Sequence, residues 1–232
     1  MQDNRRLPAY IREYMDAAFM KVGTPEPSFV ILHCTMQYTD LNSDIQNKVI
    51  TDPETIISKC LEIDGFLLAI VTNIPDGWDF ETVFTDVESD FVYNGSYDVY
   101  YDYWIAQMWN ALRTLRAMLN EQVRNTLLAG FSSKPPCFTE PQYTAQFQIS
   151  TELLYQIQDD ILRTVVQHMG GPLGRDHNPQ HRDTIIDTSP PTPMSAGTFL
   201  MVSQILPLSH EFLTCLKSLL LYSWGKIKQR LF

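Results

Sequence analysis

Between Tyr101 and Val123 the stretch YDYWIAQMWNALRTLRAMLNEQV keeps one apolar stripe in step with an α-helix for about six turns, and that stripe contains an arginine. Laid out at about 100° per residue, Trp104, Ile105, Met108, Trp109, Leu112, Leu115, Leu119 and Val123 share one side, with Tyr103, Asn110, Thr114 and Glu121 opposite. Arg116 falls inside the stripe and Arg113 at its edge. A guanidinium placed there must run its stem out to water or meet a carboxylate inside the fold. The stretch therefore reads as the central packing helix of a helical core, not as an aromatic binding surface. Asp159 or Asp160, on a neighbouring helix, is the expected partner of Arg116.

Other segments repeat the helical spacing. Leu7 to Val22 places Leu7, Ile11, Tyr14, Met15, Ala18 and Phe19 on one face and ends at Gly23, Pro25 and Pro27. Ser28 is the expected N-cap of SFVILHCTMQY, and Asn42 or Ser43 that of a shorter helix through Ile50. Asp52, Pro53 and Glu54 form a helix start, and the run that follows is apolar nearly all round, which predicts a buried helix up to Pro75. DGWDF then reads as a turn anchored by Trp78.

Glu81 to Gly95 reads as an acidic loop, and strand character is confined to short runs such as FETVF. SSKPPCFTEPQY is a connection, followed by a helix from Ile149 to Met169. Residues 170–194 read as a mobile loop rich in Gly and Pro. SAGTFLMVSQILPLSH, broken at Pro207, and EFLTCLKSLLLYSWGKIKQRLF read as two more helices. The expected fold class is all-α: a single domain over 1–232 with about seven to eight helices.

Composition narrows the function classes. Hydrophobic residues at 44% and charged ones at 19% belong to a globular chain. Lys and Arg number 17 against 27 Asp and Glu, with no basic run, which argues against direct binding of nucleic acid. No apolar run approaches the ~18 residues of a membrane span. Cys34, Cys60, Cys137 and Cys215 lack paired zinc-site spacing and read as reduced, mostly buried thiols of an intracellular protein.

Candidate chemistry is sparse. Adjacent His33 and Cys34 point about 100° apart on a helix, so they read as core and not as a base with its nucleophile. Asp159 and Asp160 suggest the helical carboxylates with which terpene cyclases hold magnesium, but Arg163 stands where a third carboxylate would fall. His177 and His181 flank Pro179, which excludes the helix that would set them for zinc. GGPLG at Gly170 to Gly174 follows a helix and precedes no lysine, unlike a phosphate loop. No catalytic residue, cofactor site or metal site is assigned, and the chain is expected not to be an enzyme.

Three separated pieces carry a resemblance. LEIDGFLLAIVTNIPDGWDF, YDVYYDYWIAQMWNALRTLRAMLNEQV and DDILRTVVQHMGG resemble, in order, the C-terminal helical region of fungal transcription factors that carry a binuclear zinc cluster. The matching positions are Pro75, Trp78 and Phe80; Tyr100, Asp102, Trp104, Trp109, Asn110, Arg113 and Arg116; and Asp160, Ile161, Thr164, Val165, His168 and Gly170. Val166 stands where that family has a proline, and the six-cysteine cluster is absent from these residues.

The resemblance implies a regulatory domain located in the nucleus that contacts a protein partner or a small-molecule effector. It marks Trp78, Tyr100, Trp104, Trp109, Asn110, Arg113, Arg116, Asp160 and His168 as structural or effector-contacting residues. The alternative expectation is a small all-α enzyme or ligand-binding protein, with a pocket between the Trp104 and Asp160 helices where Arg113, Arg116 and Asp160 converge.

Overall fold

A computed structural model describes residues 26–168, except 87, 88 and 90, together with positions 6, 8–10, 13 and 17. The predicted loop at 170–194, the two helices beyond it and most of the first helix lie outside the described residues, as do His177, His181 and Cys215. Positions 9, 10, 13 and 17 are helical.

Helix α1, Pro27–Gln46, is one continuous helix and not the two expected. Glu26 takes the N-cap position in place of Ser28, with Pro27 at the first helical position. Asn42 and Ser43 lie inside the helix because Cys34, Tyr38 and Leu41 continue the buried face through them. The helix closes in a Schellman motif: Val49 N–H donates to the Asp44 carbonyl and Lys48 N–H to that of Ile45, with Lys48 at φ 57°.

Helix α2, Pro53–Thr72, starts as the sequence predicts, the Asp52 carboxylate accepting from Thr55 N–H. Its buried face is Ile56, Ile57, Cys60, Ile63, Asp64, Leu67 and Ile70. The other side is open among the described residues: Phe66 is 49% exposed and Leu68 45%, so the expectation of a helix buried all round does not hold.

A hairpin follows. Strands β1, Phe80–Phe84, and β2, Ser96–Tyr100, pair antiparallel with Thr82 opposite Asp98. At its end Asn94 (φ 49°) and Gly95 (φ 68°) turn the chain between Tyr93 and Ser96, the two left-handed residues that such a tight turn demands. This sheet overturns the all-α expectation, and the described residues hold four long helices with one short helical turn in place of seven to eight. β2 escaped the sequence reading because its inward face is Ser96, Asp98 and Tyr100. Two of those residues are polar, so the apolar alternation that marks a half-buried strand is missing.

Helix α3, Tyr103–Ser132, is capped by Asp102, whose carboxylate accepts from Ile105 N–H. Every residue from Leu112 to Asn120 is buried, because α1, α2, α4 and the hairpin all pack on it. The predicted stripe is core at Ile105, Trp109, Leu112, Leu115, Leu119 and Val123, whereas Trp104 is 44% exposed. Helix α4, Pro141–Arg163, begins eight residues before the predicted Ile149, with Glu140 at the N-cap position and Pro141 at the first turn. It stops short of Met169: Thr164 caps it, and Val165–His168 forms the single turn α5.

Near the end of α3, Gly130 makes room for an aromatic ring. A Cβ built there would lie 2.2 Å from a ring carbon of Phe138, itself buried and packed against Phe131 and Tyr143. Gly to Ala in a helix interior ordinarily gains about 1 kcal/mol. Here the methyl must displace a hemmed-in ring, so Gly130→Ala is expected to lower the urea-derived unfolding free energy by about 1–3 kcal/mol.

Candidate functional site

The motif residues gather where the hairpin, the first turns of α3 and the end of α4 meet. Asp98 on β2 is fully buried and is the centre of the cluster. Its Oδ1 accepts from Thr82 Oγ1 at 2.8 Å and its Oδ2 from Tyr100 Oη at 3.2 Å. Arg113 Nη2 lies 3.6 Å from Oδ2, and Arg163 Nε 3.7 Å from Oδ1. One carboxylate is thus held by two arginines, a phenol and a threonine, the dense pairing that a buried charge requires.

Arg113 completes the frame. It donates to Tyr100 Oη at 2.6 Å, and its guanidinium lies 5.4 Å from the ring centre of Phe80, 5.7 Å from that of Tyr100 and 5.5 Å from that of Trp109. Burial pushes the Tyr100 phenol well above its ordinary range, with Arg113 opposing, so at neutral pH it remains a donor to Asp98. Trp109 Nε1 donates to the Trp78 carbonyl at 2.8 Å, tying α3 to the turn after α2. Trp104 stacks edge-on against Trp78, 5.7 Å between ring centres.

On the far side, Asn110 Nδ2 donates to Thr164 Oγ1 and to His168 Nε2, each at 3.0 Å. Gln167 bonds the edge of β2 as a neighbouring strand would, accepting from Tyr100 N–H and donating to the Tyr100 carbonyl. Asp160 pairs with Arg163, while Asp159 accepts from Tyr93 Oη at 2.8 Å. The two acids point to different partners, so they do not form a magnesium pair. Among the described residues no cluster of His, Cys, Asp and Glu is arranged to hold a metal.

Arg116 stands apart from this cluster. Its expected partners were Asp159 or Asp160, but it forms a two-pronged bond with Asp64 of α2, at 2.8 and 3.1 Å. The pairing with α2 has a geometric cause. Three residues apart on a helix, Arg113 and Arg116 diverge by about 60°, and Arg116 faces α2 instead of α4. Asp64 could have been found in the sequence, since it interrupts an apolar run at a position in phase with Cys60 and Leu67.

Sequence reasoning also passed over Asp98, Thr82, Arg163 and Gln167 as site members. Only Asp98 left a signal, a charge between tyrosines in YDVYYD. Cys34 and Cys60 are buried core cysteines, whereas Cys137 is exposed; burial raises Cys34 and Cys60 to about 12, so neither is a nucleophile near neutrality.

Comparison with models of known protein families, with curated proteins and with solved structures finds no match to this chain. The resemblance to fungal zinc-cluster regulators therefore rests on the residues quoted above. No helix among the described residues is long and apolar enough to cross a membrane.

Two measurements test this geometry. Arg116→Ala leaves Asp64 buried without its partner and is expected to cost about 3–5 kcal/mol. In double-mutant cycles Arg116 should couple to Asp64 by more than about 1 kcal/mol and be additive with Asp160 to within about 0.5 kcal/mol.

The second measurement uses pH. Burial pulls the His168 imidazole below its ordinary range, and its Nε2 accepts from Asn110 only when the ring is neutral. The folded chain therefore binds this proton less readily than the unfolded one. The contribution to stability is present above the unfolded value of about 6.5 and is lost as pH falls through the folded value. Burial shifts Asp160 upward, against the pull of Arg113 and Arg163, so its contribution has the opposite slope. His168→Gln should shrink the drop in urea midpoint between about pH 7 and about pH 5.

Proposed function

We propose that the chain is a non-enzymatic regulatory and interaction domain of a fungal transcriptional regulator. It would act in the nucleus through a protein partner or a small-molecule effector and would not itself contact nucleic acid. One observation carries the reading: the charged residues that could have formed an active site satisfy one another. Arg113 pairs with Asp98 and Tyr100, Arg116 with Asp64, and Asp160 with Arg163. The pieces that resemble the zinc-cluster family, far apart in sequence, also meet in one hydrogen-bonded cluster, as parts of a common scaffold would.

The alternative, an enzyme or ligand-binding protein with a pocket between the Trp104 and Asp160 helices, needs Arg113, Arg116 and Asp160 to converge. Asp64 draws Arg116 toward α2, and Phe80, Tyr100 and Trp109 surround Arg113. What the region does present is apolar surface, with Phe84 81% exposed, Tyr101 56% and Trp104 44%. Exposed aromatic side chains are the usual anchors of protein contacts.

The test fuses the chain to an unrelated DNA-binding module and reads a reporter gene in yeast. Output is expected to change several-fold relative to the module alone, and Trp104→Ala with Phe84→Ser to cancel most of the change at unaltered fold and abundance. Output equal to that of the module alone would overturn the proposal.

A further inference from the structure

The hairpin leaves one of its two edges open. In an antiparallel ladder, directly opposed residues either exchange both backbone bonds or turn both N–H and C=O away from each other. Tyr100 donates its N–H to the Gln167 side chain and its carbonyl accepts from it, so Tyr100 and the opposed Phe80 turn away. Alternation puts Thr82 and Phe84 in the same state. The neighbouring bonds agree: Ser96, opposite Phe84, donates its N–H to the Tyr93 carbonyl, while Thr85 N–H goes to the Gly95 carbonyl. On the β2 side Gln167 and Tyr93 thus take up edge groups. On the β1 side Phe80, Thr82 and Phe84 direct N–H and C=O outward, and no third strand pairs with them among the described residues.

Such a row of unpaired groups is a template for an added strand, and edges that must stay single are blunted by lysine, proline or a bulge. β1 has none of these. FETVF contains neither Lys nor Pro, and its register with β2 is unbroken from Phe80 to Phe84. Phe84, at the end of the strand, is 81% exposed and sets an apolar anchor beside the open edge.

Charge selects the occupant. Residues 60–112 hold ten Asp and Glu and no Lys or Arg. Asp76, Asp79, Glu81, Asp86 and Asp102, on and around the hairpin, are exposed. Arg113 and Arg163, which the fold brings to it, are engaged by Asp98. We propose that the open edge of β1 takes an extended, lysine- or arginine-bearing segment of a partner protein as a third strand. Because side chains alternate along a strand, its cations lie on the Glu81 face and its apolar residues on the Phe84 face. A second copy of this chain is the poorer match, since it brings the same acidic edge and a net charge of −10. The contact rests on the reading of the chain as an interaction domain and names the chemistry of its partner.

Hydrogen exchange on the full chain tests the edge, with a blocked peptide of about nine residues that alternates lysine and valine as the probe. The Thr82 and Phe84 amides are expected to exchange fast in the free chain and about tenfold or more slower with saturating peptide. The Glu81 and Val83 amides, bonded to β2, stay slow throughout and report an intact hairpin. A peptide with glutamate in place of lysine, or one N-methylated along its bonding edge, should give no protection. Phe84→Pro removes one outward N–H, a change that an edge strand tolerates, and should abolish the peptide's effect at Thr82. Glu81→Lys should weaken the lysine peptide several-fold and admit the glutamate peptide. Unchanged exchange at Thr82 and Phe84 with the lysine peptide, or slowing that survives N-methylation, would overturn the inference. So would amides there that are slow without peptide, which assigns the edge to a second copy where the slowing grows with protein concentration and to another part of this chain where it does not. Peptide docking with a silent yeast reporter supports the edge and sinks the transcriptional reading, whereas a reporter response that needs Trp104 but survives Phe84→Pro sinks the edge alone.

Discussion

A guanidinium is tolerated inside a helical core only where a carboxylate and further acceptors are brought against it, and α3 buries two of them three residues apart. Because they diverge around the helix, they call for partners on different sides. Asp64 of α2 answers Arg116, and Asp98 of the hairpin answers Arg113. Slipping α2 along α3, or removing β2, would strand a charge in the interior. These pairs fix positions more than they add net stability, since ion pairs of this kind roughly offset their own desolvation.

The hairpin is the element that this constraint explains best. A two-stranded sheet is marginal alone, and β2 turns Ser96, Asp98 and Tyr100 inward. It is held because Asp98 is clasped by Arg113 and Arg163 while Gln167 of α5 occupies the hydrogen-bonding edge at Tyr100. The cluster thus joins the turn at Trp78, the hairpin, α3 and the α4–α5 junction. Arg163 Nε is buried beside Asp98 without a hydrogen bond of its own, so the arrangement meets nearly all of its polar demand but not quite all.

That pattern bears on function. Active sites keep reactive groups short of partners and aimed at a space. Here the acids and arginines are turned toward one another, and the exposed residues nearby are aromatic. That pattern favours the proposed reading of a domain that acts through its surface.

Much of the helical framework was legible in the residues themselves. The α3 stripe, the Asp52–Pro53 start of α2, the Trp78 turn and the burial of an arginine at 116 all follow from local spacing and capping, which act over a few residues. The gathering of Tyr100, Trp109, Asn110, Arg113, Asp160 and His168 was not legible, since it joins α3 to the end of α4 across some 54 residues of chain. Which acid meets which arginine was not legible either, because pairing depends on how helices turn against one another across some 50 residues of chain, as Arg116 and Asp64 do. The strand at Ser96–Tyr100 was invisible for a related reason. Its inward residues are polar and become interior only once α3 and α4 supply their partners, so tertiary packing alone decided that it is a strand.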